Sequence, residues 1–193
     1  MTEQKTRQEA LSLLHEYTQS ESLLRHAYAV EAVCRAYARQ FGESEEWYGL
    51  AGLLHDFDYE RYPTPEEHTV VGARILEEHG YPPEVIYAIR AHADYNHLER
   101  NTLLAKVLFA ADEVSGFVMA VTMVRPTRNL AELETKSVLK KLKDKAFARG
   151  VHREDVYQGA AELNIPLEQH IDFVIEALRP IAKELGLDGS AAE

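Results

Sequence analysis

The sequence predicts an all-α fold, a single compact bundle of about eight or nine helices. Apolar residues recur at steps of three and four along nearly the whole chain, which is the period of an α-helix with one buried face. No segment alternates apolar and polar residues over a length that would indicate a strand. No internal repeat, low-complexity tract or Gly/Ser linker divides the 193 residues, and 46% hydrophobic with 27% charged content suits one globular domain.

The first two predicted helices begin at Ser20 and Ser44. The first ends at Gly42, a typical residue after a helix C-terminus, and its buried stripe consists of Leu23, Ala27, Val30, Cys34, Tyr37 and Phe41. The second is strongly apolar and runs to His55. Because Cys34 is the only cysteine, it cannot form an internal disulfide, and its expected role is packing in a protein of a reducing compartment.

The remaining helices are predicted from the same period and from their end signals. One covers residues 64–80, with Thr64 as N-cap, Pro65 in the first turn and Gly80 at its end. An amphipathic helix is expected between the cap Asn129 and the stop Gly150. Apolar periodicity predicts the others at 82–92, 102–121, 154–163 and 166–186, and the segment 102–121 is the most apolar of all.

Composition excludes several classes of protein. No segment approaches the roughly 20 apolar residues that a membrane span needs, and the first residues lack the apolar core of a secretion signal. We therefore expect a cytoplasmic protein without a membrane partner. The net charge of -11 argues against nonspecific nucleic-acid binding, which needs clustered Lys and Arg, so no nucleic-acid partner is expected. A homo-oligomer is compatible with the sequence, which does not predict one.

The charge is unevenly distributed along the chain. Between Arg125 and Arg153 nine basic residues stand against three acidic ones, a local charge of +6 on an acidic protein. This basic segment (residues 125–153) is either an anion site or an ordinary solvated helix face. The candidate substrate-binding residues within it are Arg125 and the lysines expected on one helix face, Lys136, Lys140 and Lys143.

Six polar residues occupy positions that face or border the predicted core. They are His26, His55, Asp56, His68, His92 and Asp112. A lone histidine on an apolar face is usually a hydrogen-bonded core residue. An unpaired buried carboxylate, however, costs several kcal/mol unless a cation or strong donors compensate it. A bound metal supplies that compensation, and mixed imidazole and carboxylate ligands suit Mn, Fe, Co, Ni or Zn. The absence of cysteine ligands speaks against a structural zinc knuckle.

In their order along the chain these residues resemble the HD-domain superfamily of metal-dependent phosphohydrolases over about residues 22–125. The segment HTVVGARIL resembles the helix of the HDIG and HD-GYP branches, and AIRAHAD resembles the helix that carries their next histidine. HDFDYERYP, with the long segment that begins at FAADEVSG, resembles small bacterial predicted HD hydrolases. Residues 125–193 would then form a C-terminal helical extension of a single HD domain.

The resemblance implies one or two metal ions. His26, His55, Asp56 and Asp112 would hold the first, and His68 and His92 would hold a second with Asp56 as a bridge. Two departures limit the transfer. HD-GYP proteins have paired histidines where this chain has His92-Ala93, and a lysine where this chain has Asp58. Neither their cyclic dinucleotide substrate nor their general acid is therefore expected here.

The expected activity is hydrolysis of a nucleotide or other small phosphorylated metabolite by a metal-activated water. The expected catalytic residues are Asp56, Asp58 and Glu60; the latter two would transfer a proton or serve as hydrogen-bond partners of the ligands. Tyr59, together with Tyr62, would line the substrate pocket. Three alternatives remain open: a metal-containing module that senses a nucleotide without turnover, an HD-type diiron oxygenase, and a purely structural helical protein.

Overall fold

The computed structural model describes residues 5–190, which form nine α-helices with three short 3₁₀ helices and no strand. The prediction of an all-α fold is confirmed. The helices are α1 (Arg7–Tyr17), α2 (Glu21–Phe41), α3 (Glu45–Leu54), α4 (Val70–Glu78), α5 (Pro83–His92), α6 (Leu103–Met123), α7 (Thr135–Leu142), α8 (Arg153–Glu162) and α9 (Leu167–Leu178). Within residues 5–190, none of these helices is long and apolar enough to cross a membrane.

Local end signals explain most helix boundaries. Ser44 accepts a hydrogen bond from the backbone N–H of Trp47 and caps α3, as the sequence predicts. Gly42 ends α2 in the left-handed conformation, at φ 72°, which glycine adopts without steric cost. Helix α1 precedes the first helix that was predicted, and a reciprocal capping box between Thr6 and Glu9 begins it.

The prediction of Thr64 as the N-cap of a helix over residues 64–80 is wrong. Helix α4 begins at Val70, and residues 58–69 form mainly turns, so His68 precedes the helix. Pro65 disfavours the helical conformation for the residue before it, which is Thr64. The cap position belongs to Thr69, whose backbone φ is 62°.

Two other predicted helices are shorter than expected. Only Thr135–Leu142 of the expected 129–150 is α-helical; Asn129 instead caps the 3₁₀ helix Leu130–Glu132 through a bond from the Ala131 N–H. After α7, the Arg153 guanidinium donates to the carbonyl oxygens of Leu142 (3.1 Å) and Asp144 (2.9 Å), which fixes the chain in a non-helical course. The final helix ends at Leu178 because Pro180 follows.

The chain divides into two compact units, Met1–Phe109 and Ala110–Glu193, with the boundary inside α6. In the first unit α2 packs along α3, and its fully buried side chains include Tyr37, Leu50 and Phe57. An ion-pair network crosses the polar edge of this core: Glu31 is 3% exposed and accepts from Arg7 at 2.7 Å and Arg35 at 2.9 Å. The two guanidinium groups thus supply the hydrogen bonds and opposite charge that a buried carboxylate needs.

The second unit is organised around the part of α6 that begins at Ala110. The His170 ring of α9 donates from Nε2 to the Ala110 carbonyl oxygen at 2.9 Å. Burial lowers the pKa of His170 to about 4, so this histidine is a neutral core residue. Gly159 of α8 lies so close to α6 that a Cβ there would be 2.6 Å from the Ala110 Cα.

The contact between α2 and α3 depends on Gly52. A Cβ at this position would be 2.8 Å from the Glu31 Cα and 2.9 Å from the Val30 carbonyl oxygen, both backbone atoms. Gly52→Ala should therefore lower the free energy of unfolding by about 1–3 kcal/mol, measured by urea denaturation. Gly150→Ala is the control: no atom lies within 4 Å of its Cβ position, and a change within about 0.5 kcal/mol is expected. Equal stability of the two variants would contradict the close helix contact.

Candidate metal centre

Backbone carbonyls of two helices fix the orientation of two histidine rings. His55 follows the last residue of α3, and its Nδ1 donates to the Gly52 carbonyl oxygen at 2.8 Å. His92 ends α5, and its Nδ1 donates to the Ile89 carbonyl oxygen at 2.6 Å. Since a carbonyl only accepts, each ring must carry its proton on Nδ1. In a neutral ring the lone pair is therefore on Nε2, the nitrogen that lies near Asp56.

The Asp56 carboxylate lies where these rings converge. Its Oδ2 is 3.5 Å from His55 Nε2, and its Oδ1 is 3.1 Å from His68 Nε2 and 3.4 Å from His92 Nε2. His55, His68 and His92 are buried, whereas the Asp56 side chain is 23% exposed, so solvent reaches it. Donor atoms of His55, Asp56 and His92 all lie within 4.8 Å of one another, close enough to share one ion.

His26, on the half-buried face of α2, adds a further imidazole. Its Nε2 is 3.2 Å from the Nε2 of His55, and the two ring centroids are 5.1 Å apart. The Nε2 of His55 thus faces another ring nitrogen on one side and a carboxylate oxygen on the other. Such an electron-rich group of atoms needs a shared proton or a cation among it. The donor set fits a divalent transition metal, because neutral imidazole and carboxylate are the ligands such metals accept.

His68 differs from the other rings because two carboxylates hold it. Its Nε2 contacts Asp56, and its Nδ1 donates to Asp58 Oδ1 at 2.9 Å. Asp58 is 1% exposed, and its Oδ2 accepts from the backbone N–H groups of Thr69 and Gly72, each at 2.9 Å. The side-chain oxygens of Asp58 thus accept from His68 and from the N-terminal end of α4, the arrangement of a ligand-orienting carboxylate. A proton-transfer role for Asp58 stays a prediction.

The surroundings shift two pKa values in opposite directions. Burial alone would raise the pKa of Asp56, but attraction to His55 and hydrogen bonds from the three histidines outweigh it, so this pKa lies well below its ordinary value. Burial alone would lower the pKa of His68, but hydrogen bonds to Asp56 and Asp58 raise it to about 9. Without a metal, His68 is therefore a cation at neutral pH and supplies the positive charge that Asp56 needs.

Tyrosine side chains border the open side of the histidine cluster. Tyr59, predicted to bind substrate, is 42% exposed, and its ring centroid is 5.1 Å from that of His68. Tyr95, which the sequence analysis missed, is 40% exposed and lies 6.2 Å from His68. In the sequence, only the position of Tyr95 three residues after His92 indicates that it lies near the proposed metal ligands. Tyr62 is half-buried, and its N–H bonds to the Asp58 carbonyl oxygen.

Glu60 faces the start of α2. Its Oε2 accepts from the backbone N–H groups of Gln19 (2.8 Å) and Ser20 (2.9 Å), and these two bonds lower its pKa. It therefore satisfies amide groups next to the N-terminus of a helix, where a carboxylate is stabilising. Its predicted catalytic role is not tested by these contacts and stays a prediction.

The other predicted site residues lie in the second unit. Asp112 is three residues past the unit boundary, within the continuous helix α6. Arg125 follows α6 and donates to the Glu132 carbonyl oxygen at 3.2 Å. Lys136 and Lys140 are exposed on α7, and exposed Lys143 comes directly after it. Lys136 pairs with Glu134 at 2.7 Å. Asp112 as a ligand and these four residues as an anion site stay predictions.

The part of the chain that contains this cluster matches a known protein family. Residues 23–116 match the family model described as HD domain. The chain contains an HD domain. The matched range includes all six predicted metal ligands, from His26 to Asp112. HD domains belong to a superfamily of metal-dependent phosphohydrolases, which agrees with the resemblance found in the sequence. The predictions of hydrolase and metal-binding character are supported at this level.

Curated relatives that match this chain include proteins named Ribonuclease Y. That of Oleidesulfovibrio alaskensis is 32% identical over 98 residues, which are 50% of this chain and 18% of the relative. That of Syntrophobacter fumaroxidans is 29% identical over 178 residues, 86% of this chain and 31% of the relative. The chain thus spans less than a third of the length of these relatives. The similarity to the Syntrophobacter fumaroxidans relative extends beyond the HD domain. No solved structure gives a significant match.

The stability of the metal-free protein should depend on pH, because the carboxylates of Asp56 and Asp58 hold the two ring nitrogens of His68. Protonated His68 stabilises the fold fully below its unfolded pKa of 6.5, and this contribution is lost as the pH rises through about 9. The free energy of unfolding of chelator-treated protein should fall across this window by roughly 1–3 kcal/mol. Urea denaturation at several pH values measures it. His68→Gln should flatten the profile, whereas His79→Gln, at an exposed histidine, should retain it. An unchanged profile in His68→Gln would contradict the charge assignment.

Proposed function

We propose that this chain is a metal-dependent phosphohydrolase that cleaves a phosphoester bond with a water nucleophile. The observation that carries the proposal is the convergence of three imidazole Nε2 atoms on Asp56, with two of the rings anchored by backbone carbonyls. Anchored rings hold their donor atoms in place before a metal arrives. Membership of the HD domain family supports the same reaction class.

The proposed ligand sets follow the sequence prediction. His26, His55, Asp56 and Asp112 would hold one ion, and His68 and His92 a second, with Asp56 between them. The ion would be Mn, Fe, Co, Ni or Zn. When bound, such an ion lowers the pKa of a water ligand towards neutrality and offers positive charge to phosphoryl oxygens. Two oxygens on Asp56 already face different histidines, which suits a bridging carboxylate.

The protein's own groups would orient and enclose the substrate. Tyr59 and Tyr95 lie beside His68, and about two fifths of each residue is exposed. They can therefore contact the part of a bound substrate that extends beyond the metal centre. The buried rings of His55, His68 and His92 exclude bulk water from one side of Asp56. Positive groups for the nonbridging oxygens would come from the basic segment.

For the substrate, we favour a nucleotide or another small phosphorylated metabolite. The net charge of -11 would repel a long polyanion, while a small anion could still reach a local positive site. A second candidate is RNA, because the relatives are proteins named Ribonuclease Y. Both candidates share phosphoester hydrolysis, and they differ in the length of the anion that must bind.

The hydrolysis proposal predicts that removal of metal abolishes phosphoesterase activity and that one of the five metals restores it. Nucleoside monophosphates, bis(p-nitrophenyl) phosphate and a short single-stranded RNA are the parallel substrates. His55→Ala and Asp56→Ala should each lower kcat/KM by at least about 100-fold, since several kcal/mol of transition-state stabilisation are lost. His79→Ala, an exposed histidine outside the cluster, should keep full activity.

The outcomes separate the candidates. Cleavage of RNA alone would replace the small-metabolite assignment by the second candidate. Metal binding without turnover of any substrate would overturn the hydrolase proposal in favour of a sensing module. Iron-dependent oxygen consumption would indicate the oxygenase alternative. A protein that binds no metal would be a structural helical protein.

The basic segment gives a further prediction for this reaction. Lys136→Ala and Arg125→Ala should weaken kcat/KM by roughly 5- to 150-fold, the loss expected from about 1–3 kcal/mol of charge-assisted hydrogen bonding, with metal content unchanged. Steady-state kinetics with metal analysis of each variant is the measurement. Lys183→Ala, outside the segment, is a control for removal of one positive charge. If the segment is only a solvated face, all the variants should behave like wild type.

A further inference from the structure

Asp58 has an unusual position for a charged side chain. It is 1% exposed and has no lysine or arginine among its side-chain hydrogen-bond partners, which are His68 Nδ1 and the N–H groups of Thr69 and Gly72. These donors come from His68, from the N-cap Thr69 and from the first turn of α4. The carboxylate is thus built into the fold immediately behind one of the proposed metal ligands.

The turn itself is shaped to keep that carboxylate in place. Thr69 has a φ of 62°, a strained value for a β-branched residue, and Asn96 donates to its Oγ1 at 2.7 Å. Gly72 leaves no room for a side chain, since a Cβ there would be 2.6 Å from Asp58 Oδ2. The strain and the missing side chain together allow two N–H groups to point at one oxygen. A strained backbone persists only where its surroundings enforce it.

This arrangement decides which nitrogen of His68 carries a proton. Asp58 Oδ1 can only accept, so the His68 Nδ1 beside it must be protonated. The opposite nitrogen, Nε2, then faces Asp56 at 3.1 Å and is the atom that can donate a lone pair to a metal. For His55 and His92, the helix carbonyls of Gly52 and Ile89 accept the Nδ1 proton instead. His68 has no helix before it, because α4 begins after it.

We propose that Asp58 is a positioning residue, which replaces the missing helix carbonyl by holding the His68 ring proton on Nδ1 and so directs Nε2 to the metal. The inference rests on the proposed function, because His68 is a ligand only if the metal centre forms. It assigns to Asp58 a role in metal affinity in place of proton transfer to the substrate. A carboxylate behind a histidine ligand also raises the basicity of the ring.

Asp58→Asn separates positioning from simple structural support. The amide keeps the volume and one acceptor oxygen, which the N–H groups of Thr69 and Gly72 both require. Its NH₂ group must then face His68 Nδ1, and a donor opposite Nδ1 favours the tautomer that is protonated on Nε2. That tautomer has no lone pair to offer the metal. Asp58→Ala, in contrast, leaves both N–H groups without an acceptor and should mainly destabilise the fold.

The experiment titrates the full chelator-treated chain with Zn²⁺ by calorimetry. In Asp58→Asn, the equivalent of Zn²⁺ that His68→Ala removes should bind about 10- to 100-fold more weakly than in wild type. Asp172→Asn is the matched control, at an exposed carboxylate that accepts from Thr135, and should bind Zn²⁺ like wild type. Imidazole ¹H–¹⁵N spectra of the Zn²⁺-loaded protein should show a His68 Nδ1–H in wild type that is lost in Asp58→Asn. The corresponding signals of His55 and His92 should remain.

Each outcome decides the inference. If Asp58→Asn binds Zn²⁺ like wild type and keeps the His68 Nδ1–H, while Asp58→Ala unfolds more easily, Asp58 has only a structural role and the inference fails. In that case the proposed hydrolase stands. If wild-type protein binds no Zn²⁺ or other divalent ion, the proposed metal centre fails and this inference falls with it.

Discussion

The attraction between the Asp56 carboxylate and the imidazoles around it is the interaction on which the candidate site depends. A carboxylate in this position would lose hydration that bulk water otherwise provides. Three imidazole nitrogens within 3.5 Å replace that hydration, and the protonated ring of His68 supplies the opposite charge. The same atoms are suitable metal donors once the proton is displaced. In the metal-free site, ion pairs and hydrogen bonds thus already hold the proposed metal ligands close together.

Close backbone contacts give this cluster its precision. Gly52 allows α2 and α3 to approach, which brings His26 and His55 to 3.2 Å, and the carbonyl oxygen of Gly52 orients the His55 ring. Gly72 plays a comparable part beside Asp58. A methyl group would collide with backbone atoms of α2 at Gly52 and with the hydrogen-bonded Asp58 carboxylate at Gly72, so packing and ligand geometry share the same constraint. A change that loosens the helix contact should therefore also disturb the site.

The relatives support a class of reaction, phosphoester hydrolysis, but they do not identify the substrate of this chain. Their shared name indicates a ribonuclease, yet this chain spans less than a third of their length. The acidic composition would repel a long polyanion, whereas exposed lysines after α6 could bind either a small anion or a phosphate backbone. Arg153 belongs to the basic segment, but its guanidinium donates to the carbonyl oxygens of Leu142 and Asp144. It therefore contributes less to an anion site than its charge suggests.

Residue order alone predicts the all-α class, most helix positions and the resemblance to HD domains, because periodic burial and ligand order are properties of residue spacing. Spacing could not show that residues 64–69 form turns, that α7 stops at Leu142, or that α1 precedes the first expected helix. Those outcomes depend on hydrogen bonds between distant residues, such as Asp58 with Gly72 and Arg153 with Leu142. The role proposed for Asp58 likewise depends on tertiary contacts. A sequence shows that an acidic residue lies two places after Asp56, but only the tertiary structure puts it behind the His68 ring, where a buried carboxylate must find donors.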